Sequence, residues 1–214
     1  MNTRSIILLT ACLAIGELEA GSLSVMVKDG KGAPVSDAVV FAESSATSAH
    51  AGAKDVIDQR NKQFIPYVTA LQVGTSVLFP NKDNIRHHVY SLSPAKRFEL
   101  PLYAGVPAEP VVFDKEGFVT LGCNIHDWMI AYVAVLPTPY SKVTGTEGHV
   151  RLTDLPAGKY TVEAWQPLLK RKPEELAQVI DLSSGSSKTI AFTMELRPDF
   201  RARRAPELGT GGYP

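Results

Sequence analysis

Cysteine is nearly missing from this sequence: 214 residues hold only two, Cys12 and Cys123. Surplus charge is missing too. Lys plus Arg number 22, as do Asp plus Glu, so the formal net charge is zero. A nucleic-acid partner normally calls for a basic surface, and this balance gives no support for one. No apolar run reaches the roughly 18–20 residues that a membrane-spanning helix needs. Helical periodicity is not sustained anywhere after the first twenty positions, which excludes a helical bundle. No catalytic triad, phosphate-cradling loop or carboxylate pair can be picked out, so the usual hydrolase and nucleotide chemistries have no candidate residues.

What is present fits a folded exported chain. Hydrophobic residues make up 44% and charged residues 21%, ordinary values for a globular protein with a real core. Residues 1–20 read as an export signal. Arg4 gives the positive start, Ile6 to Gly16 a short apolar stretch, and Gly16 and Ala20 the small residues before a cleavage point. The expected location is therefore periplasmic or secreted. Leu9-Thr10-Ala11-Cys12 offers a lipidation box as the alternative. Either way Cys12 leaves with the signal or sits at a lipidated end, and Cys123 has no disulfide partner in an oxidising compartment. A leftover cysteine there is a liability or a ligand.

The mature chain reads as all-β. Ser22 to Lys28 alternates polar and apolar residues, Asp29 to Pro34 is a turn cluster, and Ala38 to Glu43 returns as a strand. Ser44 to Lys54, which includes His50, reads as a linker. Strands are expected at Phe64 to Val73, Ser76 to Phe79, Ile85 to Leu92, Phe118 to Cys123 and Ile130 to Leu136. Ser93 to Glu116, with four prolines, reads as a long irregular excursion. After Pro137-Thr138-Pro139 come His149 to Thr153, Lys159 to Trp165, and a last pair of strands at Gln178 to Leu182 and Lys188 to Leu196. Residues 197–214 read as a disordered tail.

The chemistry concentrates in Gly122-Cys123-Asn124-Ile125-His126-Asp127-Trp128-Met129. Thiolate and thioether are soft donors, and imidazole suits copper, zinc and iron. Two His, one Cys and a distant Met form the set copper uses for electron transfer, whereas structural zinc wants four strong ligands, typically with several cysteines. The loop supplies Cys123, His126 and Met129, so a second His must come from elsewhere. His87 and His88 are adjacent on a strand and point to opposite faces. His87 shares the more apolar face with Ile85 and Val89, as Cys123 does with Val119 and Leu121, so His87 is expected inward and His88 is the alternative ligand.

These residues resemble a known family. Asn81-Lys82-Asp83-Asn84-Ile85-Arg86-His87-His88-Val89 is similar to the segment around the first copper ligand of cupredoxins. Cys123-x-x-His126-x-x-Met129 resembles their ligand loop in the short amicyanin form, and Phe64-x-Pro66 with Val73-x-x-x-Val77 resembles the preceding strands. The pattern covers roughly residues 60–136 and looks most like the plastocyanin- and amicyanin-like proteins of the methylamine-utilisation type. Two positions depart from the family: His88 stands where an Asn usually ties the ligand loops together, and Leu121 where an aromatic is common. Separately, Gly32-Ala33-Pro34-Val35 with Ala38-Val39-Val40, and Leu155-Pro156-Ala157-Gly158-Lys159-Tyr160-Thr161-Val162, resemble the two halves of a carboxypeptidase-regulatory or transthyretin-like sandwich.

The resemblance implies a cupredoxin Greek-key sandwich over residues 56–137, inserted into a second small β-sandwich split between residues 21–45 and 146–196. It implies one type 1 copper ion held by His87, Cys123, His126 and Met129, no enzyme activity, and single-electron transfer with an unidentified redox protein. The alternative is a periplasmic copper-binding carrier with no electron-transfer role. Further readings are a binding module with a vestigial site and a Cys–His nucleophile. Trp128 is expected either to face a redox partner or to brace the loop.

Overall fold

A computed structural model describes residues 19–45, 52–107 and 109–199. The export signal with Cys12, His50, and the tail beyond residue 199 lie outside the described residues. The first part of the chain forms β1 (Gly21–Asp29), β2 (Val39–Glu43), β3 (Lys54–Val56), β4 (Asp58–Arg60), β5 (Gln63–Ile65), β6 (Val68–Gln72) and β7 (Thr75–Leu78). Then come β8 (His87–Ser93), β9 (Lys96–Tyr103), β10 (Val111–Phe113), β11 (Gly117–Gly122) and β12 (Ile130–Leu136). The chain continues with β13 (Ser141–Val143), β14 (His149–Leu155), β15 (Gly158–Trp165), a short 3-10 turn at Pro173–Leu176, β16 (Gln178–Leu182) and β17 (Ser187–Met194). The fold is all-β, as its alternating sequence predicts.

The strands build sheets in the orders β14-β1-β17, β13-β2-β15-β16, β6-β12-β11-β8-β9 and β10-β7-β3, with β4-β5 as a separate hairpin. Three apolar cores separate these four sheets. Leu23, Val25 and Val27 of β1 meet Val40 and Ala42 of β2 and Tyr160, Val162 and Ala164 of β15 in the first. Val39 and Phe41 of β2 with Trp165 pack on Val68, Tyr132, Ala134 and Leu136 in the second. Val77, Phe79 and Phe113 meet Val89, Val119, Leu121, Ala131, Val133 and Val135 in the third, where Cys123 and Met129 also lie.

β12 shows why its sequence, IAYVAVL, is apolar throughout. Successive strand residues point to opposite faces. Ala131, Val133 and Val135 enter the third core, while Tyr132, Ala134 and Leu136 enter the second. A strand covered on both faces reads as a continuous hydrophobic run. β2 does the same between the first and second cores. Trp165 stacks on Phe118 at 4.2 Å between ring centroids, 11° from parallel, and so joins β15 to β11 across the second core.

Two expectations need correction. The proline-bearing excursion from Ser93 to Glu116 contains an eight-residue strand, β9, paired with β8, and a short one, β10, paired with β7. β9 is the outermost strand of its sheet, where Pro101 removes no ladder bond that the sheet needs. The last two strands are not a pair. β16 runs antiparallel to β15, whereas β17 runs parallel to β1 in the opposite sheet. The Ser183–Ser187 turn, with Gly185 at φ +66°, carries the chain from one sheet to the other.

Candidate metal centre

The centre sits at one end of the third core, where β8 begins, β11 ends and β12 begins. His87 is the first residue of β8 and is fully buried. Its neighbour His88 faces away, as strand alternation demands, and its Nε2 meets Glu99 Oε1 at 2.8 Å. Cys123 follows the last residue of β11, Met129 precedes the first of β12, and both are buried in the same apolar cluster. The Met129 amide donates to the His126 carbonyl at 2.9 Å, which closes the loop between them.

His87, Cys123 and His126 each offer a donor atom, and these atoms lie within 4.8 Å of one another. Cys123 Sγ is 3.9 Å from His126 Nδ1, and the two imidazole centroids are 5.0 Å apart. A sulfur and a nitrogen bound to one metal ion at about 2.3 and 2.0 Å stand roughly 3.6–3.8 Å apart, so little movement is needed to share an ion. Among the described residues this is the one group of three such side chains. His88 stands outside it.

The hydrogen bonding around His87 fits the same purpose. Its Nε2 donates to Asp83 Oδ2 at 2.7 Å, and its Nδ1 is buried with no hydrogen-bond partner. An orphaned buried nitrogen is costly unless something binds it. Metal-bound histidines commonly donate their other ring N–H to a carboxylate, which fixes the tautomer and the ring orientation. Burial tends to raise the pKa of Asp83. Hydrogen bonds from the Lys62 amide, the His87 ring and the Asn61 amide outweigh that and hold its carboxyl below the usual range. Burial, followed by the nearby His87 and Lys62 charges, lowers the pKa of His126 and favours the neutral, ligating imidazole.

Neighbouring groups shape the walls. Tyr103 is cross-strand from His87, and its hydroxyl donates to the Phe79 carbonyl and accepts from the fully buried Gln59. Burial is the main cause pushing its pKa up to about 12, with proximity to Cys123 adding to it. Trp128 leans on His126, with ring centroids 5.2 Å apart, and its indole N–H donates to the Lys62 carbonyl at 3.1 Å. Sequence reasoning missed Asp83 as the partner of His87 and missed the Asn61–Lys62 turn. The Asn-x-Asp-x-x-x-His spacing and an Asn in a two-residue connection were the available signals.

No protein-family model matches the chain, and no curated protein matches it. Solved structures do. A purple cupredoxin from Nitrosopumilus maritimus is 25% identical, with 40% of this chain and all of that one aligned at a TM-score of 0.34. A reduced amicyanin variant is 20% identical, covering 45% of this chain and 98% of that chain at a TM-score of 0.36. A copper-containing nitrite reductase from Thermus scotoductus is 22% identical over 44% of this chain, at a TM-score of 0.37. The chain spans only 25% of that enzyme's length. The chemistry assigned to this chain rests on its own donor atoms.

Proposed function

We propose that this chain is a periplasmic type 1 copper protein that carries single electrons between redox partners. The observation that carries the reading is the meeting of His87, Cys123 and His126 donor atoms from two distant segments within 4.8 Å. One thiolate, two imidazoles and a nearby thioether match copper better than zinc. Bound there, copper supplies a one-electron couple. Cys123, His87 and His126 would hold the ion, and Met129 in the same apolar cluster would add a weak thioether donor. Asp83 keeps the His87 proton on Nε2, so Nδ1 would be left to bind the ion. Cys123 and Met129 are buried in the apolar cluster, and donors packed so firmly would move little between the two redox states. His126 is the least buried of the three, and its edge is the exit for the electron, beside the half-exposed Ile125. With His87, Cys123, His126 and Met129 all assigned to the ion, the role fits carriage of electrons better than turnover of a substrate.

We also propose that residues 56–137 form the copper unit and that residues 21–45 with 146–196 form the second, carboxypeptidase-regulatory-like unit. The pairing of β1 with β14 and β17, and of β2 with β15, supports that division.

The test is an absorption and EPR spectrum of the copper-loaded mature protein beside Cys123→Ser. An intense visible thiolate band with reversible redox cycling, both lost in the variant, is expected. A colourless wild-type protein with a square-planar copper signal refutes the reading. Tight Cu(I) binding without a reversible couple favours the copper-carrier alternative.

A further inference from the structure

We infer that the Asn61–Lys62 turn is a positioning element that fastens the two ligand-bearing loops of the metal centre to each other from outside both. The inference rests on the copper reading above. The turn joins β4 and β5, which pair antiparallel with Arg60 opposite Gln63, so the connection is two residues long. Both residues have positive φ, +54° and +55°, the conformation of a type I′ hairpin turn. Neither is glycine. A lysine is uncommon in the left-handed region and persists there when surrounding bonds hold it.

Asp83 and Trp128 supply those bonds. The Asn61 amide donates to Asp83 Oδ1 at 2.6 Å and the Lys62 amide to Asp83 Oδ2 at 2.8 Å. The same Oδ2 accepts the His87 Nε2 proton at 2.7 Å. On its other side, the Lys62 carbonyl accepts the Trp128 indole N–H at 3.1 Å. Trp128 sits in the loop between His126 and Met129 and leans on the His126 ring. One residue, Lys62, thus reaches His87 through its N–H and the Cys123–Met129 loop through its C=O. The hairpin is itself moored to the His87 loop: the Gln59 amide donates to the Pro80 carbonyl at 2.8 Å, and the Lys82 amide to the Gln59 carbonyl at 2.8 Å. His88, the residue next to the first ligand, turns away to Glu99 and makes no such tie.

The geometry requires an ionised carboxylate at residue 83. Asparagine keeps one acceptor oxygen and turns the other into a donor, which faces N–H groups that also donate. Two variants separate the arms of the tie: Asp83→Asn on the His87 side, and Trp128→Phe, which keeps an aromatic ring, though a smaller one, and removes the N–H. Arg60→Ala removes an exposed side chain beside the turn, leaves both backbone groups of Lys62 in place, and is the control.

The first measurement uses the metal-free full chain and follows exchange of the His87 Nε2 proton by NMR. Trp128→Phe is expected to speed that exchange several-fold although it touches no group on His87. The second is a Cu(I) competition titration. Each single variant is expected to weaken binding by about tenfold, within the range for partners of metal-bound residues. The double variant is expected to weaken it by about the same tenfold and not a hundredfold, because both bonds act through one turn. Arg60→Ala is expected to bind as the wild type does. Unchanged His87 exchange in Trp128→Phe, or losses that multiply in the double variant, overturns the inference. A wild-type protein with no thiolate–copper band defeats the functional reading alone, and the metal-free exchange measurement still decides the role of the turn.

Discussion

Replacing Trp165 by alanine tests whether the second core holds the two halves of this chain together. The indole is 9% exposed, stacks on Phe118 at 4.2 Å and meets Tyr132 edge-on at 6.4 Å. A buried indole withdraws on the order of 200 Å² from water. At about 25 cal/mol per Å² that contributes about 5 kcal/mol, and the lost ring stack adds roughly 1 kcal/mol. Partial collapse around the space returns some of this, and large aromatic truncations in cores cost about 3–5 kcal/mol. A loss of about 4 kcal/mol is expected in urea unfolding followed by far-UV circular dichroism. The sequence has two tryptophans, so in this variant fluorescence reports Trp128 and the metal pole alone. Because β12 serves the second and third cores at once, the fluorescence and dichroism transitions should move together. A loss under about 1 kcal/mol, or a Trp128 transition that stays where it was, refutes the reasoning.

Two more outcomes follow from the same structure. Burial, then the charges of Glu43 and Glu174, raise the pKa of Glu163 above its ordinary 4.5. The folded state therefore holds this proton more tightly than the unfolded chain does. Stability from this group is full below about 4.5 and is lost as pH rises through the folded value. Glu163→Gln should flatten that decline and raise the melting temperature at neutral pH, and an unchanged melting profile from pH ~4 to ~8 argues against it. Met129→Leu swaps one buried side chain for another of similar size and should cost under about 1.5 kcal/mol while shifting the reduction potential by removing the weak sulfur donor. Voltammetry of the copper-loaded variant checks it: an unchanged potential means that Met129 is only core.

Legibility in the sequence was uneven for physical reasons. The clustering of Cys123 and His126 could be read because one short segment holds both, so their spacing is a property of the chain. β12 was readable end to end because burial on both faces leaves no polar interruption. His87 was separable from His88 because alternation along a strand is a local rule. The turn at Asn61–Lys62 was not legible, since its importance lies in bonds to Asp83 and Trp128 that are distant in sequence. β9 was hidden by Pro101, whose cost depends on whether the strand is central or outermost, and that is decided by the assembled sheet. The parting of β16 and β17 into different sheets was hidden for the same reason: adjacent strands usually pair, and only the parallel register with β1 shows that these do not.

That parallel register has a consequence for how the molecule comes into being. From Ser22 beside Ser187 to Asp29 beside Met194, β1 lies along a strand more than 160 positions away. As the polypeptide is made, β1 emerges early and waits with one edge bare until nearly everything else has been synthesised. Closure of such a distant seam is slow, and the exposed edge invites wrong neighbours in the interval. The sandwich around the metal pole needs nothing beyond Leu136 for its own strands and can finish first, giving the late-arriving flanks a solid wall on which to assemble.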